Sequence, residues 1–267
     1  MSALAAYLAV QPEVIRVRIV RVRGSSPRDE GAEMFVSQSA VHGTIGGGQL
    51  EYMAIDEARA LLIRGAPCGE MDVPLGPEIG QCCGGRVEIA LVRMDDVMRA
   101  EAIKAEDAAQ DARPHLYILG AGHVGRALAD LAQHLPLRTV LVDGRAAELG
   151  LCDAEVETAL TPLPEALVRD APAGSAFVIL THDHALDFLL AAEALGCGDG
   201  AYVGMIGSAT KRASFTSWTR ARGGSAAGLI CPIGAGQSGD KRPEMIAALV
   251  LGEVVAALGA KVAVPAR

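Results

Sequence analysis

Aromatic side chains are scarce in this chain. One Trp, four Tyr and four Phe make up 3% of the 267 residues, although 51% of the residues are hydrophobic. The core must therefore be built mainly from Ala, Val, Leu and Ile. Because domains average about 150 residues, the length predicts two domains, each large enough to bury a core.

Positive charge is also in short supply. Lys and Arg number 24 against 32 Asp and Glu, and the formal net charge of -8 predicts no nucleic-acid partner. No uncharged apolar run approaches the roughly 18 residues that a membrane span needs. The apolar start, Met1 to Val10, lacks a basic leader and predicts a short helix rather than a signal peptide. We therefore expect a cytoplasmic protein without membrane insertion, whose six irregularly spaced cysteines are free thiols.

A glycine-rich turn stands at the centre of the chain. Leu116 to Leu119 is a short apolar run typical of a buried parallel strand, and Gly120, Gly122 and Gly125 follow with Gly-x-Gly-x-x-Gly spacing. The residues from His123 and Val124 onwards form an amphipathic helix. This order predicts a tight turn at Gly120, close approach of a ligand at Gly122, and helix N–H groups that face an anion.

The next strand supports the same fold. Thr139 to Val142 is apolar and ends at Asp143, about 20 residues beyond the glycines, where a dinucleotide fold places its ribose-binding acid. Strands and helices then alternate to about residue 206, which predicts a doubly wound parallel sheet. We therefore predict an α/β protein: a C-terminal Rossmann-like domain at 114–267, a smaller N-terminal α+β domain at 1–94, and a helical linker at 95–113.

A second glycine run precedes a helix in the first domain. Gly46, Gly47 and Gly48 follow a predicted strand, and the helix after them ends near Gly65. The run is interpreted either as a second anion cradle or as a close-packed turn. The strand from Val14 to Arg23 alternates apolar and basic residues, with a slip at Ile19-Val20 that predicts a bulge or an edge position.

Two cysteines lie side by side in a third glycine loop. Gln81, Cys82 and Cys83 precede Gly84 and Gly85, and adjacent cysteines do not form a relaxed disulfide. One interpretation is structural: Cys82 and Cys83 are two small residues buried in a turn, as is common for cysteine. Their place in a glycine loop favours a functional thiol, which suits a soft metal or a sulfur ligand.

Two polar segments follow strands of the Rossmann-like domain. Thr181 is followed by His182, Asp183 and His184, which suggests a metal site, although helix capping by Thr181 or Asp183 explains part of the pattern. The second segment carries Ser208, Lys211 and Arg212 at a helix start, which favours an anion.

Seven groups of residues together resemble the XdhC/CoxI family of xanthine dehydrogenase accessory proteins, from about residue 12 to residue 257. They are Gly24-Ser-Ser-Pro-Arg28, Gly43-Thr-Ile-Gly-Gly-Gly48 with Leu50-Glu51, Gln81-Cys-Cys-Gly-Gly85, Gly120-Ala-Gly-His-Val-Gly125, Thr181-His-Asp-His184, Ile206-Gly-Ser208 with Lys211-Arg212, and Pro232-Ile-Gly234 followed by Pro243-Glu244. Gln49 departs from the cysteine expected after the triple glycine, which moves the predicted thiol role to Cys82 and Cys83.

The resemblance implies a chaperone rather than an enzyme. Such a protein binds the molybdenum cofactor, keeps it sulfurated through contact with a cysteine desulfurase, and delivers it to xanthine dehydrogenase or another molybdenum hydroxylase. We expect Gly120 to Gly125 to take the cofactor's phosphate, Asp143 and Arg145 to line the pterin pocket, the Gly46 to Gly48 loop to close it, and Cys82 or Cys83 to lie near molybdenum. The resemblance leaves the oligomeric state open, with a homodimer as one option.

Two alternatives come from the residues alone. The glycine fingerprint with Asp143 is typical of an NAD(P)-dependent oxidoreductase. A metal-dependent hydrolase or nucleotidyltransferase would instead use His182, Asp183, His184 and Asp187.

Overall fold

The computed structural model describes residues 2–77, 84–234 and 239–262 of the chain. It divides into two units, residues 1–111 and 112–267. Within the described ranges, none of the helices is long and apolar enough to cross a bilayer.

The first unit is built on a five-stranded antiparallel sheet. Its elements are α1 (Ala3–Val10), β1 (Ile15–Arg23), β2 (Glu33–Val36), β3 (Val41–Gly43), α2 (Gly48–Arg64), β4 (Cys68–Pro74), β5 (Arg86–Arg93) and α3 (Asp96–Asp111). The strand order is β3-β2-β1-β5-β4. The predicted slip in β1 forms a register shift between Ile19 and Arg21 against β5, and β1 is a central strand rather than an edge strand.

Helices cover this sheet from two sides. Alternate residues of β1 and β5 point towards α2, and their side chains form one core with Leu50, Ala54 and Leu61 of that helix. Phe35 and Ala102 belong to a smaller cluster in which α1 and α3 meet. The helix predicted as a linker at 95–113 therefore forms as α3 and packs within the first unit.

The second unit is a parallel sheet with helices on both faces. Its elements are β6 (His115–Leu119), α4 (His123–Ala132), β7 (Arg138–Asp143), α5 (Ala146–Leu149), β8 (Glu157–Leu160), α6 (Pro164–Arg169), β9 (Ala176–Ile179), α7 (His184–Cys197), β10 (Tyr202–Met205), α8 (Ala209–Arg220), β11 (Leu229–Ile230) and α9 (Pro243–Val262). All of its strand pairs are parallel. The predicted α/β fold class is confirmed.

The strand order β8-β7-β6-β9-β10-β11 is the doubly wound order of dinucleotide-binding proteins. Side chains alternate between two cores because successive strand residues point to opposite faces. Leu116 and Ile118 pack with α4 and α9, whereas Leu119 packs with α7 on the other face. The order reverses between β6 and β9, so the glycine turn after β6 lies where such sheets open a ligand crevice.

Candidate functional site

Two glycines of the turn after β6 are required by packing within the chain. Gly120 has a φ of 128°, and a Cβ there would lie 2.5 Å from the carbonyl oxygen of Leu180. A Cβ on Gly125 would lie 2.0 Å from the carbonyl oxygen of Gly120. These glycines let α4 start directly against β6 and β9.

Gly122 is different, because nothing in the described chain demands a glycine there. It is the N-cap of α4 with an ordinary φ of -66°, and an added Cβ would meet no atom within 4 Å. His123, the first residue of the helix, is exposed, whereas Val124 packs against the core. Since no described side chain caps α4, Gly122 leaves the helix start open to a ligand.

Asp143 is held by the chain itself. Its Oδ2 accepts hydrogen bonds from the N–H of Ala121 at 2.8 Å and from Nη2 of Arg145 at 3.0 Å. Its Oδ1 accepts from the N–H of Arg145 at 3.0 Å and from Nε at 2.9 Å. The acid predicted to bind ribose therefore joins the glycine turn to Arg145.

These bonds also set the charge state of Asp143. Burial disfavours the charged carboxylate, but hydrogen bonds from the Arg145 guanidinium and from the N–H groups of Ala121 and Arg145 outweigh it and lower the pKa below its usual 3.8. Because the pKa of the folded state lies below that of the unfolded state, ionised Asp143 stabilises the fold above about pH 4. This contribution is lost as the pH falls through the lowered pKa.

The corresponding prediction compares the wild type with Asp143→Asn. We expect the difference in free energy of unfolding between them to be constant from about pH 7 to about pH 5 and to shrink as the pH falls below about 4. Urea unfolding over the pH range in which both proteins fold measures this difference. A difference that is independent of pH would contradict the assignment.

A cavity of about 280 Å³ opens beside this pair, at the carboxyl ends of β6, β7, β8 and β9. Gly120, Asp143, Arg145 and His182 line it, so four of the predicted site residues come together. Its other lining residues are mainly apolar: Leu119, Val142, Gly144, Thr161, Pro162, Pro164, Thr181, Leu186 and Leu190. A mainly apolar lining with a few polar groups is typical of small-molecule sites.

The polar segment after β9 forms a helix start rather than a metal site. The side chain of Asp183 caps α7 by accepting from the N–H groups of Ala185 and Leu186. His184, the first residue of α7, is exposed. Across the residues that the structure covers, no group of three or more His, Cys, Asp or Glu side chains could hold a metal ion.

A buried ion pair links this segment to the loop after β10. Asp187 is fully buried, and its carboxylate accepts from Nζ of Lys211 and from the N–H and hydroxyl of Thr181. The side chain of Ser208 caps α8 by accepting from the N–H of Lys211. Lys211, predicted as an anion ligand, thus pairs with an internal carboxylate, and the pair holds Thr181 at the cavity wall.

The Gly46 to Gly48 loop lies in the first unit and already contains an anion. All three glycines have positive φ angles, which ordinary residues rarely adopt. One oxygen of Glu51 accepts from the N–H groups of Ile45 at 3.0 Å and Gly47 at 3.1 Å and from the hydroxyl of Thr44. A phosphate bound to these N–H groups would have to displace Glu51.

Replacement of Glu51 tests how firmly this carboxylate holds the loop. We expect Glu51→Ala to lower the free energy of unfolding by about 1–3 kcal/mol, because it leaves the two N–H groups without their acceptor. The matched control is Glu57→Ala on the same helix, which removes only an exposed ion pair with Arg64 and should cost less than about 1 kcal/mol. Equal losses in urea unfolding would contradict the role of Glu51.

The predicted thiol site, Gln81, Cys82 and Cys83, lies outside the described residues. Of the described cysteines, Cys68, Cys152, Cys197 and Cys231 are free thiols, as predicted. Burial raises the pKa of the Cys231 thiol, which keeps it protonated at neutral pH.

The described fold and cavity define a protein with a dinucleotide-type Rossmann domain and a separate antiparallel α+β unit. Residues 116–254 match the XdhC Rossmann domain, and residues 8–71 match the XdhC and CoxI family. The chain therefore belongs to the XdhC/CoxI family.

Two relatives extend this comparison. The chain is 30% identical over 129 residues to the uncharacterized protein YqeB of Escherichia coli K12, a match that covers 47% of this chain and 21% of YqeB. The matched part of the chain thus spans about a fifth of the length of that relative. A crystal structure from Bacillus halodurans, of a protein named as a xanthine dehydrogenase, covers 99% of this chain and 98% of its own with a TM-score of 0.81. At 18% identity, it supports the fold alone.

Proposed function

We propose that the protein is an accessory protein of xanthine dehydrogenase or another molybdenum hydroxylase. In this role it binds the molybdenum cofactor, preserves the sulfurated form through contact with a cysteine desulfurase, and delivers the cofactor to the enzyme without turnover of its own. The cofactor would bring a phosphorylated pterin and a dithiolene-bound molybdenum. Family membership supports the role, and the second unit supports the ligand.

The observation that carries the proposal is the open glycine beside a cavity with apolar walls. Gly122 lies two residues beyond Gly120, which lines the cavity, and a Cβ on Gly122 would meet no described atom within 4 Å. This supports binding of the phosphate at the start of α4. The cavity suits one heterocycle, and Arg145 in its lining suits an anion. These features of the described residues support a ligand that carries a pterin and a phosphate. Molybdenum contact at Cys82 or Cys83 remains a prediction.

The strand order and the glycine spacing also favour a second candidate, an NAD(P)-dependent oxidoreductase. One experiment separates the two. Apo-protein is mixed with molybdenum cofactor, unbound material is removed, and molybdenum content and oxidised-pterin fluorescence are measured beside a titration with NADH. Retained pterin and molybdenum without NADH affinity supports the chaperone. NADH binding without pterin retention would overturn it.

A further inference from the structure

We propose that Arg145, not Asp143, recognises the ligand of the cavity, and that it selects a flat heterocycle carrying a phosphate monoester. This assignment rests on the proposed function, since the pterin of the molybdenum cofactor is such a ligand. It gives the two residues separate roles: Arg145 contacts the ligand, and Asp143 positions Arg145.

The hydrogen-bonding capacity of the Asp143 carboxylate is fully used within the chain. A carboxylate has about four acceptor positions, two on each oxygen. Each oxygen of Asp143 accepts one hydrogen bond from a backbone N–H and one from the Arg145 guanidinium. Its side chain is only 5% exposed. A ribose diol that needed this carboxylate would first have to break one of those bonds.

The guanidinium of Arg145 is held by Asp143 along one edge. Its Nε and Nη2 hold Asp143, while its Nη1 lies 3.7 Å from Oε1 of Glu148, beyond hydrogen-bond distance. The side chain is 39% exposed and lines the cavity. Asp143 binds the Nε and Nη2 edge of the planar guanidinium. The edge that contains Nη1 is therefore oriented to bind an anion. A guanidinium binds phosphate well because its donors match two phosphate oxygens.

The local charges allow such an anion. Glu148 also accepts a hydrogen bond from Arg126 at 2.8 Å, so two carboxylates, of Asp143 and Glu148, face two guanidiniums, of Arg126 and Arg145. The same phosphate can bind at the start of α4 and at Nη1, because Oδ2 of Asp143 accepts from both the N–H of Ala121 and the Arg145 guanidinium and so holds the two close together. At Nη1 the phosphate competes with the long contact to Glu148. The stronger pairs, Arg145 with Asp143 and Arg126 with Glu148, can stay intact.

The size of the cavity sets the rest of the ligand. About 280 Å³ is at the lower end for small-molecule sites and accommodates one bicyclic ring rather than a whole dinucleotide. Pro162, Pro164, Leu186 and Leu190 supply apolar surfaces for the ring. The pterin of the molybdenum cofactor and a purine nucleoside 2′-phosphate both combine such a ring with a phosphate monoester, and the test distinguishes these two sources.

The test compares two nucleotides that differ in the position of one phosphate. The full chain is titrated calorimetrically with 2′,5′-ADP and with 5′-ADP, and retention of molybdenum cofactor is measured in parallel. We expect 2′,5′-ADP to bind at least about tenfold more tightly than 5′-ADP, and Arg145→Met to remove this preference. Arg138→Met is the matched control, because Arg138 lies at the opposite end of β7 in an exposed ion pair with Glu157 and should leave the preference unchanged.

Asp143→Asn tests the positioning role. We expect it to reduce the ratio of the two affinities, because Arg145 loses its fixed edge, whereas a general structural defect would weaken both nucleotides equally and leave the ratio unchanged. If neither nucleotide binds but Arg145→Met loses the cofactor that Arg138→Met retains, the ligand is the pterin phosphate and the assignment stands.

Equal affinities of the wild type for the two nucleotides would overturn the assignment, and so would a preference that survives Arg145→Met. If neither nucleotide binds, the assignment is overturned when Arg145→Met retains as much cofactor as the wild type. The proposed function can fail separately. A preference for 2′,5′-ADP in a protein that retains no molybdenum cofactor would refute the chaperone and keep the role of Arg145.

Discussion

Gly125→Ala should destabilise the second unit by about 3 kcal/mol or more. The new Cβ would lie 2.0 Å from the carbonyl oxygen of Gly120 and 3.0 Å from a methyl group of Leu180, so α4 has to move away from the sheet. Alanine is otherwise preferred to glycine inside a helix by about 1 kcal/mol, and any loss is therefore steric. Urea unfolding of the purified variant measures the effect.

Gly122→Ala is the matched control for this prediction. It makes the same chemical change three residues earlier, at a position where the Cβ would meet no described atom within 4 Å. We expect a cost of about 1 kcal/mol or less, from the weaker preference of alanine for an N-cap. Similar stability losses in the two variants would show that the turn is not packed as described.

Asp187→Ala should have a comparable effect on stability. It removes the partner of the largely buried Lys211 and the acceptor for the backbone and hydroxyl of Thr181. Breaking a buried ion pair at one end costs about 3–5 kcal/mol, because the remaining charge is left without compensation. The free energy of unfolding in urea gives the value directly.

A double variant separates the uncompensated charge from general loss of packing. Asp187→Leu combined with Lys211→Met replaces the pair with apolar groups and should recover much of the loss. Glu157→Ala, which breaks the exposed pair with Arg138, should cost less than about 1 kcal/mol. A loss below about 1 kcal/mol in Asp187→Ala would contradict the buried pair.

Much of the fold could be predicted because hydrophobic periodicity and glycine placement are local signals. The helix predicted to end near Gly65 ends at Arg64 with Gly65 as its C-cap, and the predicted turn after Leu119 lies between β6 and α4. The strand β11 and the helix α5 were not predicted. Two and four residues long, they are too short for a periodic pattern to distinguish them from loops.

The site was harder to predict because partners are set by tertiary structure. Spacing placed Asp143 at the end of β7, but only the fold brings the N–H of Ala121 and the Arg145 guanidinium onto its oxygens. The pairing of Asp187 with Lys211, 24 residues apart, has no signal in the sequence. The position of Glu51 did carry a signal in the sequence, because an acidic residue in the first turn of a helix is stabilised by the positive end of the helix dipole.

The most direct test of the account is the amount of pterin retained by Gly122→Ala. We propose that the open glycine at the start of α4 receives the phosphate of the molybdenum cofactor. Wild type and variant, both verified as folded, are incubated with the cofactor, separated from unbound material, and assayed for oxidised-pterin fluorescence. We predict that the wild type retains pterin and that the variant retains about tenfold less at limiting cofactor, a difference of about 1.4 kcal/mol in binding. Equal retention by the two proteins would contradict the claim.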